Sequence, residues 1–131
     1  MKKRIIFKVM DPTFLQAVLE CRNKGVNILD MIAIIDFVDR SIPTFEMFLD
    51  ALERLSQAGL INEEDGKYYP THNTDNIMGA ISNTNRRRKQ VRLISEFLES
   101  WQAKNSIRAK KCKMPTKNEY DTALKDYLDN F

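Results

Sequence analysis

The residues of this 131-residue chain best suited to binding chemistry are the consecutive cations Arg86, Arg87, Arg88 and Lys89, followed by Arg92. Guanidinium groups are planar, permanently charged forks that match phosphate oxygens, so such a run is a candidate phosphate-binding surface. Lys104, Arg108, Lys110, Lys111 and Lys113 could extend it. Between Arg86 and Lys117 there are eleven Lys/Arg, opposed only by Glu96 and Glu99. Four successive cations at a helix start point around its axis, so at least two face the same partner or region of solvent. The plain alternative is a solvated helix end, and it weighs equally. Few aromatics are interleaved with the basic residues, which argues against a single-strand platform on which bases stack.

Other chemistry is sparse. Cys21 and Cys112 lie far apart, without metal-ligand or redox spacing, and read as two ordinary thiols in a reducing compartment. His72 is the single histidine and has no partner motif. No nucleophile elbow, Gly-rich phosphate loop or metalloprotease helix is present, so the chain is expected to be no enzyme and to use no metal or cofactor. The length suits one domain spanning 1–131 with a real core. No stretch approaches the roughly 20 apolar residues of a membrane span, and the opening MKKRIIFKVMD is too short for a secretory signal. A cytoplasmic location is the default expectation. The net charge of +3 is uneven: residues 1–70 carry −2 and residues 71–131 carry +5.

The elements that must position these residues are organised around TFEMFLDALERLSQAGLINEEDGKYYPT, Thr44 to Thr71. Phe45, Phe48, Leu49, Leu52 and Leu55 fall on one helical stripe. Thr44 can cap that helix and Gly59 can end it in the left-handed conformation. Leu60-Ile61 and Lys67-Tyr68-Tyr69 flank Asp65-Gly66, a pair suited to the positive φ angles of a hairpin turn. Through Leu52, Leu55, Ala58-Gly59-Leu60-Ile61, Asp65-Gly66, Tyr68 and Thr71, this stretch resembles the second half of a winged-helix domain, as in transcription regulators of the MarR, ArsR and PadR types. The resemblance implies a mainly α fold with a small β-hairpin wing (α+β), a winged-helix-like core at 1–72 and a C-terminal helical extension at 73–131. It also implies a DNA-binding regulator whose recognition helix, here the Thr44 helix, enters the major groove.

Before that stretch, Lys3 to Met10 alternates weakly and is expected as a strand joining the hairpin. Asp11-Pro12 should start a helix with Asp11 as its cap, burying Phe14, Leu15, Val18 and Leu19 and ending near Gly25. Asn27 can cap a helix from Ile28 to Arg40 that is apolar nearly all round and so belongs at the centre of a core or in a dimer interface. Ser41-Ile42-Pro43 is a turn where a standard winged helix has a short second helix, unless the Ile28 helix takes that role. After the hairpin, a short helix at 75–81 and the break Ser82-Asn83-Thr84-Asn85 precede a longer helix ending near Ala103. Its Val91, Ile94, Leu98 and Trp101 form a narrow seam, either a dimer interface or a contact with its own domain. A basic connector, 102–114, leads to a last helix with a Thr116/Glu119 capping box and the stripe Tyr120, Leu124, Tyr127, Leu128 and Phe131.

The resemblance and the charges disagree. Glu46, Asp50, Glu53 and Gln57 face outward from the Thr44 helix with Arg54 as its one cation, and the wing tip carries Glu63, Glu64 and Asp65. The expectation is therefore a non-enzymatic, dimeric winged-helix regulator that binds DNA phosphates through the basic segment. The alternative is a protein-interaction adaptor of the same fold that binds no DNA and docks a partner on the acidic helix face or on an exposed part of the Ile28 helix.

Overall fold

The computed structural model describes residues 5–104, 107 and 109–130. The chain runs α1 (Asp11–Glu20), α2 (Ile28–Asp39), α3 (Phe45–Gln57), β1 (Ile61–Glu64), β2 (Lys67–Pro70), a 3-10 turn (His72–Thr74), α4 (Asp75–Ser82), α5 (Arg87–Lys104) and α6 (Lys117–Asn130). It is mainly helical with one small antiparallel sheet of two strands.

The boundaries follow from local chemistry. Thr44 Oγ1 accepts the Met47 N–H at 3.2 Å, and Asn27 Oδ1 accepts that of Asp30 at 2.8 Å, so α3 and α2 each begin on a side-chain cap. Gly59, at φ 77°, ends α3 while the Leu60 N–H reaches back to the Leu55 carbonyl, the bond pattern of a left-handed helix stop. Asp65 and Gly66 both have positive φ, 53° and 80°, which matches the twist that a two-residue hairpin needs between β1 and β2. At α6, Thr116 and Glu119 exchange backbone-to-side-chain bonds at 3.0 and 3.1 Å.

Several expectations change. Residues 5–10 form no strand; the free edge of β2 is taken by Val26, which exchanges two backbone bonds with Tyr68 at 2.9 and 3.0 Å. Gly25 suits this approach, because it holds a φ of 77° that L side chains rarely adopt and its missing Cβ leaves room for the Tyr69 ring. The 5–10 segment instead runs past α5, where the Phe7 N–H donates to Gln102 Oε1 at 2.8 Å; Lys3 and Arg4 lie outside the described residues. Asp11 is not the cap of α1 but its first residue, with its carboxylate turned to Arg54.

The helix at the centre is α1, not the more apolar α2. Asp11 through Leu19 are all buried, because α2, α3, α5 and β2 surround α1. Of its buried polar side chains, Thr13 Oγ1 donates to Asp39 and Gln16 Nε2 to Gln90 Oε1, whereas Gln16 Oε1 is buried without a hydrogen-bond partner among the described residues. In α2, only Met31, Ile32 and Ile35 are fully buried, and Phe37 stands out in solvent. α6 packs along α2, with the Tyr127 hydroxyl donating to Asp36 at 2.5 Å and the Tyr120 hydroxyl to the Pro43 carbonyl. Within the expected α6 stripe, Leu128 is exposed; Phe131 lies outside the described residues.

α5 lies antiparallel to α1, as the pairs Arg87 with Glu20, Gln90 with Gln16 and Gln102 with Phe7 require. The seam considered for a dimer is thereby occupied at its centre: Ile94 and Leu98 are 0% and 2% exposed inside the chain's own core, with Val91 and Trp101 half-buried. Ile94→Ala should consequently lower the unfolding free energy by about 2–5 kcal/mol in a urea titration, without changing the sedimenting mass. Unchanged stability with a halved mass would place the residue in an interface instead.

Candidate nucleic-acid interface

The loop Ser82–Asn85 is stitched to the start of α5. Thr84 Oγ1 accepts the Arg86 N–H at 3.3 Å, and the Gln90 side chain donates to the Thr84 carbonyl at 2.8 Å. This presents Arg86, Arg87, Arg88 and Lys89 at the positive end of the helix dipole, where cations are locally unfavourable and anions are drawn. Arg87 has an internal remedy. Its Nη1 lies 2.8 Å from Glu20 Oε1, and its guanidinium sits 5.0 Å from the centre of the Phe37 ring. Arg86, Arg88, Lys89 and Arg92 are exposed and form no ion pair among the described residues. Arg88 and Arg92 are one turn apart on the same side of α5.

Lys110 and Lys111 are exposed but do not join this group. The connector crosses the C-terminal end of α3, with the Ala109 N–H on the Gln57 carbonyl, the Cys112 N–H on Ser56 Oγ and the Tyr68 hydroxyl on the Lys113 carbonyl. That end of α3 sits by the start of α1, where Arg54 meets Asp11, whereas Arg87 meets Glu20 at the end of α1. The Lys104 side chain and Arg108 lie outside the described residues.

Two residues missed in the sequence reading join the α5 cations. Phe37 is 71% exposed, and Arg40 caps the end of α2 in the left-handed conformation. With Asp36, Val38, Arg87 and Arg88 they line an open surface depression of ≈ 560 Å³. The one local signal was a Phe and an Arg three apart in the last turn of a helix; only packing brings them to Arg88.

α3 presents a different surface. Glu46 and Asp50 are exposed, with Met47 42% exposed between them. Its one cation, Arg54, is engaged: Nε and Nη2 each donate at 2.8 Å to the carboxylate of Asp11, whose side chain is completely buried and also accepts the Lys8 N–H. Donating to the Asp11 carboxylate raises the Arg54 pKa further, so this guanidinium stays charged and bound.

Among the described residues no group of three or more His, Cys, Asp or Glu side chains is placed to hold a metal ion. His72 is exposed, and Cys21 and Cys112 are free half-buried thiols. Burial pushes both thiols up, and for Cys21 the charges of Asp30 and Glu20 add to this, so thiolate is scarce at neutral pH. No described helix is long and apolar enough to cross a membrane. Comparison with known proteins gives no matching family model, no matching curated protein and no matching solved structure.

Because Asp11 is buried, Arg54→Ala leaves a carboxylate without its counter-charge, a change that costs about 3–5 kcal/mol. Chemical denaturation should register that loss. A stability within experimental error of wild type would mean that Asp11 finds water or another donor.

Proposed function

We propose that this chain is a non-enzymatic, winged-helix-like module that binds nucleic acid through phosphate contacts from the start of α5, with Arg86, Arg88, Lys89 and Arg92 as the contacting residues. One observation carries the reading: these four exposed cations sit together, unpaired among the described residues, at the positive end of a helix. An anion there relieves repulsion that the fold itself leaves in place. The fold side of the proposal is supported by the order of helix, Val26 bridge, two helices and hairpin, with α3 in the place of the recognition helix and β1–β2 in that of the wing. α3 does not serve as the reader in this proposal. Its exposed strip is acidic, its cation is locked to Asp11, and the connector lies across its C-terminal end.

A second reading, docking of a basic protein partner, is favoured by that same strip. Met47 offers an apolar anchor between Glu46 and Asp50.

Arg88, Lys89 and Arg92 changed together to Ala should abolish binding to a labelled duplex measured by fluorescence anisotropy, with the melting temperature unchanged. Single replacements should flatten the slope of log affinity against log salt by about 0.9 for each lost duplex phosphate contact. Lys110→Ala with Lys111→Ala should have little effect, whereas Glu46→Gln with Asp50→Asn should slightly strengthen binding. Absence of binding at low salt would remove the nucleic-acid reading and leave the docking one.

A further inference from the structure

Phe37 is a large aromatic that the fold leaves 71% exposed, although it belongs to the most apolar helix of the chain. Arg87 lies over it at 5.0 Å and is itself anchored by Glu20, so the ring has a fixed cationic plate on one side. Around the ring stand Arg40 and Arg88, neither of which has an ion-pair partner among the described residues. Asp36, part of the same lining, accepts from the Tyr127 hydroxyl, and Asp39, next to the depression in sequence, accepts from Thr13. From Arg88 the cations continue to Lys89 and Arg92 along α5.

An exposed π-face set among free cations is the arrangement that holds unpaired nucleotides: the bases stack, and the phosphates follow the charge. We infer that the Phe37 depression is a stacking platform for an unpaired base, and that the preferred ligand is single-stranded nucleic acid. This rests on the phosphate-binding reading of α5 and narrows it. A base inside a duplex has both faces covered by its neighbours and cannot lie on Phe37, so a duplex uses the cations alone. An acidic peptide would meet the same charges, but the depression offers an apolar anchor only Phe37 and Val38, with charged side chains making up the rest of the lining. A flat ring suits a base better than it suits an aliphatic side chain.

The test compares three labelled oligomers of equal length at the same salt: an oligothymidine, its abasic counterpart, and a duplex. Wild type should bind the oligothymidine about tenfold more tightly than the abasic strand, the scale of one stacked base. Phe37→Ala, at an exposed position that leaves the melting temperature unchanged, should bring the oligothymidine down to the abasic level. Phe37→Tyr should keep the preference. Equal affinity of wild type for the oligothymidine and the abasic strand, or no effect of Phe37→Ala, would overturn the stacking platform while leaving the phosphate contacts standing. Loss of all three complexes at low salt would overturn both, and capture instead of a Glu-rich peptide carrying an apolar residue would assign the depression to a protein partner.

Discussion

The bidentate ion pair between Asp11 and Arg54 is the constraint on which the arrangement of this protein turns. It joins the first residue of the central helix to the last turn of α3, with the carboxylate completely buried. A buried ion pair is weak evidence of net stability, since desolvation offsets much of the attraction, but its geometry tolerates few alternatives. Two parallel hydrogen bonds fix how far α3 slides along α1 and how it is rotated. That rotation turns Phe48, Leu52 and Leu55 into the core and leaves Glu46, Met47 and Asp50 outside. The same pair withdraws the single α3 cation from any external ligand. One interaction thus sets both the packing of α3 and its acidity as seen from solvent.

The C-terminal half completes what α1 begins. α5 lies antiparallel along α1, supplying Ile94 and Leu98 to the core, and α6 lies along α2, anchored by Tyr120 among Phe45, Phe48 and the Pro43 carbonyl. Between them the connector crosses the end of α3. The start of α5 together with the end of α2 remains open. This is also where a local rule is broken, with four successive Arg/Lys at the positive end of a helix. Departures from local consistency that the fold does not compensate are expected at functional positions. Glu20 and Phe37 compensate Arg87 alone, which isolates the remaining cations as the unresolved part.

The amino-acid sequence by itself determined the helices, the hairpin and the caps other than that of α1, where Asp11 turned to Arg54 instead. Thr44, Asn27, the Thr116/Glu119 box, Gly59 and Asp65-Gly66 act through bonds and φ angles spanning a few residues, so neighbours in sequence were enough to define them. It also determined where the charge lies, since Arg86 to Lys89 are adjacent whatever the fold. Tertiary structure alone decided which partners these elements meet. The edge of β2 went to Val26 and not to residues 5–10, with Gly25, at a φ of 77°, turning the chain into that pairing beside Tyr69. The centre went to α1 and not to the more apolar α2, because being surrounded depends on neighbours as well as on composition, and Asp11, Thr13 and the Gln16 amide nitrogen of α1 found hydrogen bonds inside. Lys110 and Lys111 were carried to the opposite end of α1 from the cations they follow by some twenty positions. Phe37 and Arg40 were brought beside Arg88 across roughly fifty residues of chain. Periodicity tells which side of a helix is apolar; which helix covers that side is a competition among all the surfaces at once, and only the assembled core resolves it.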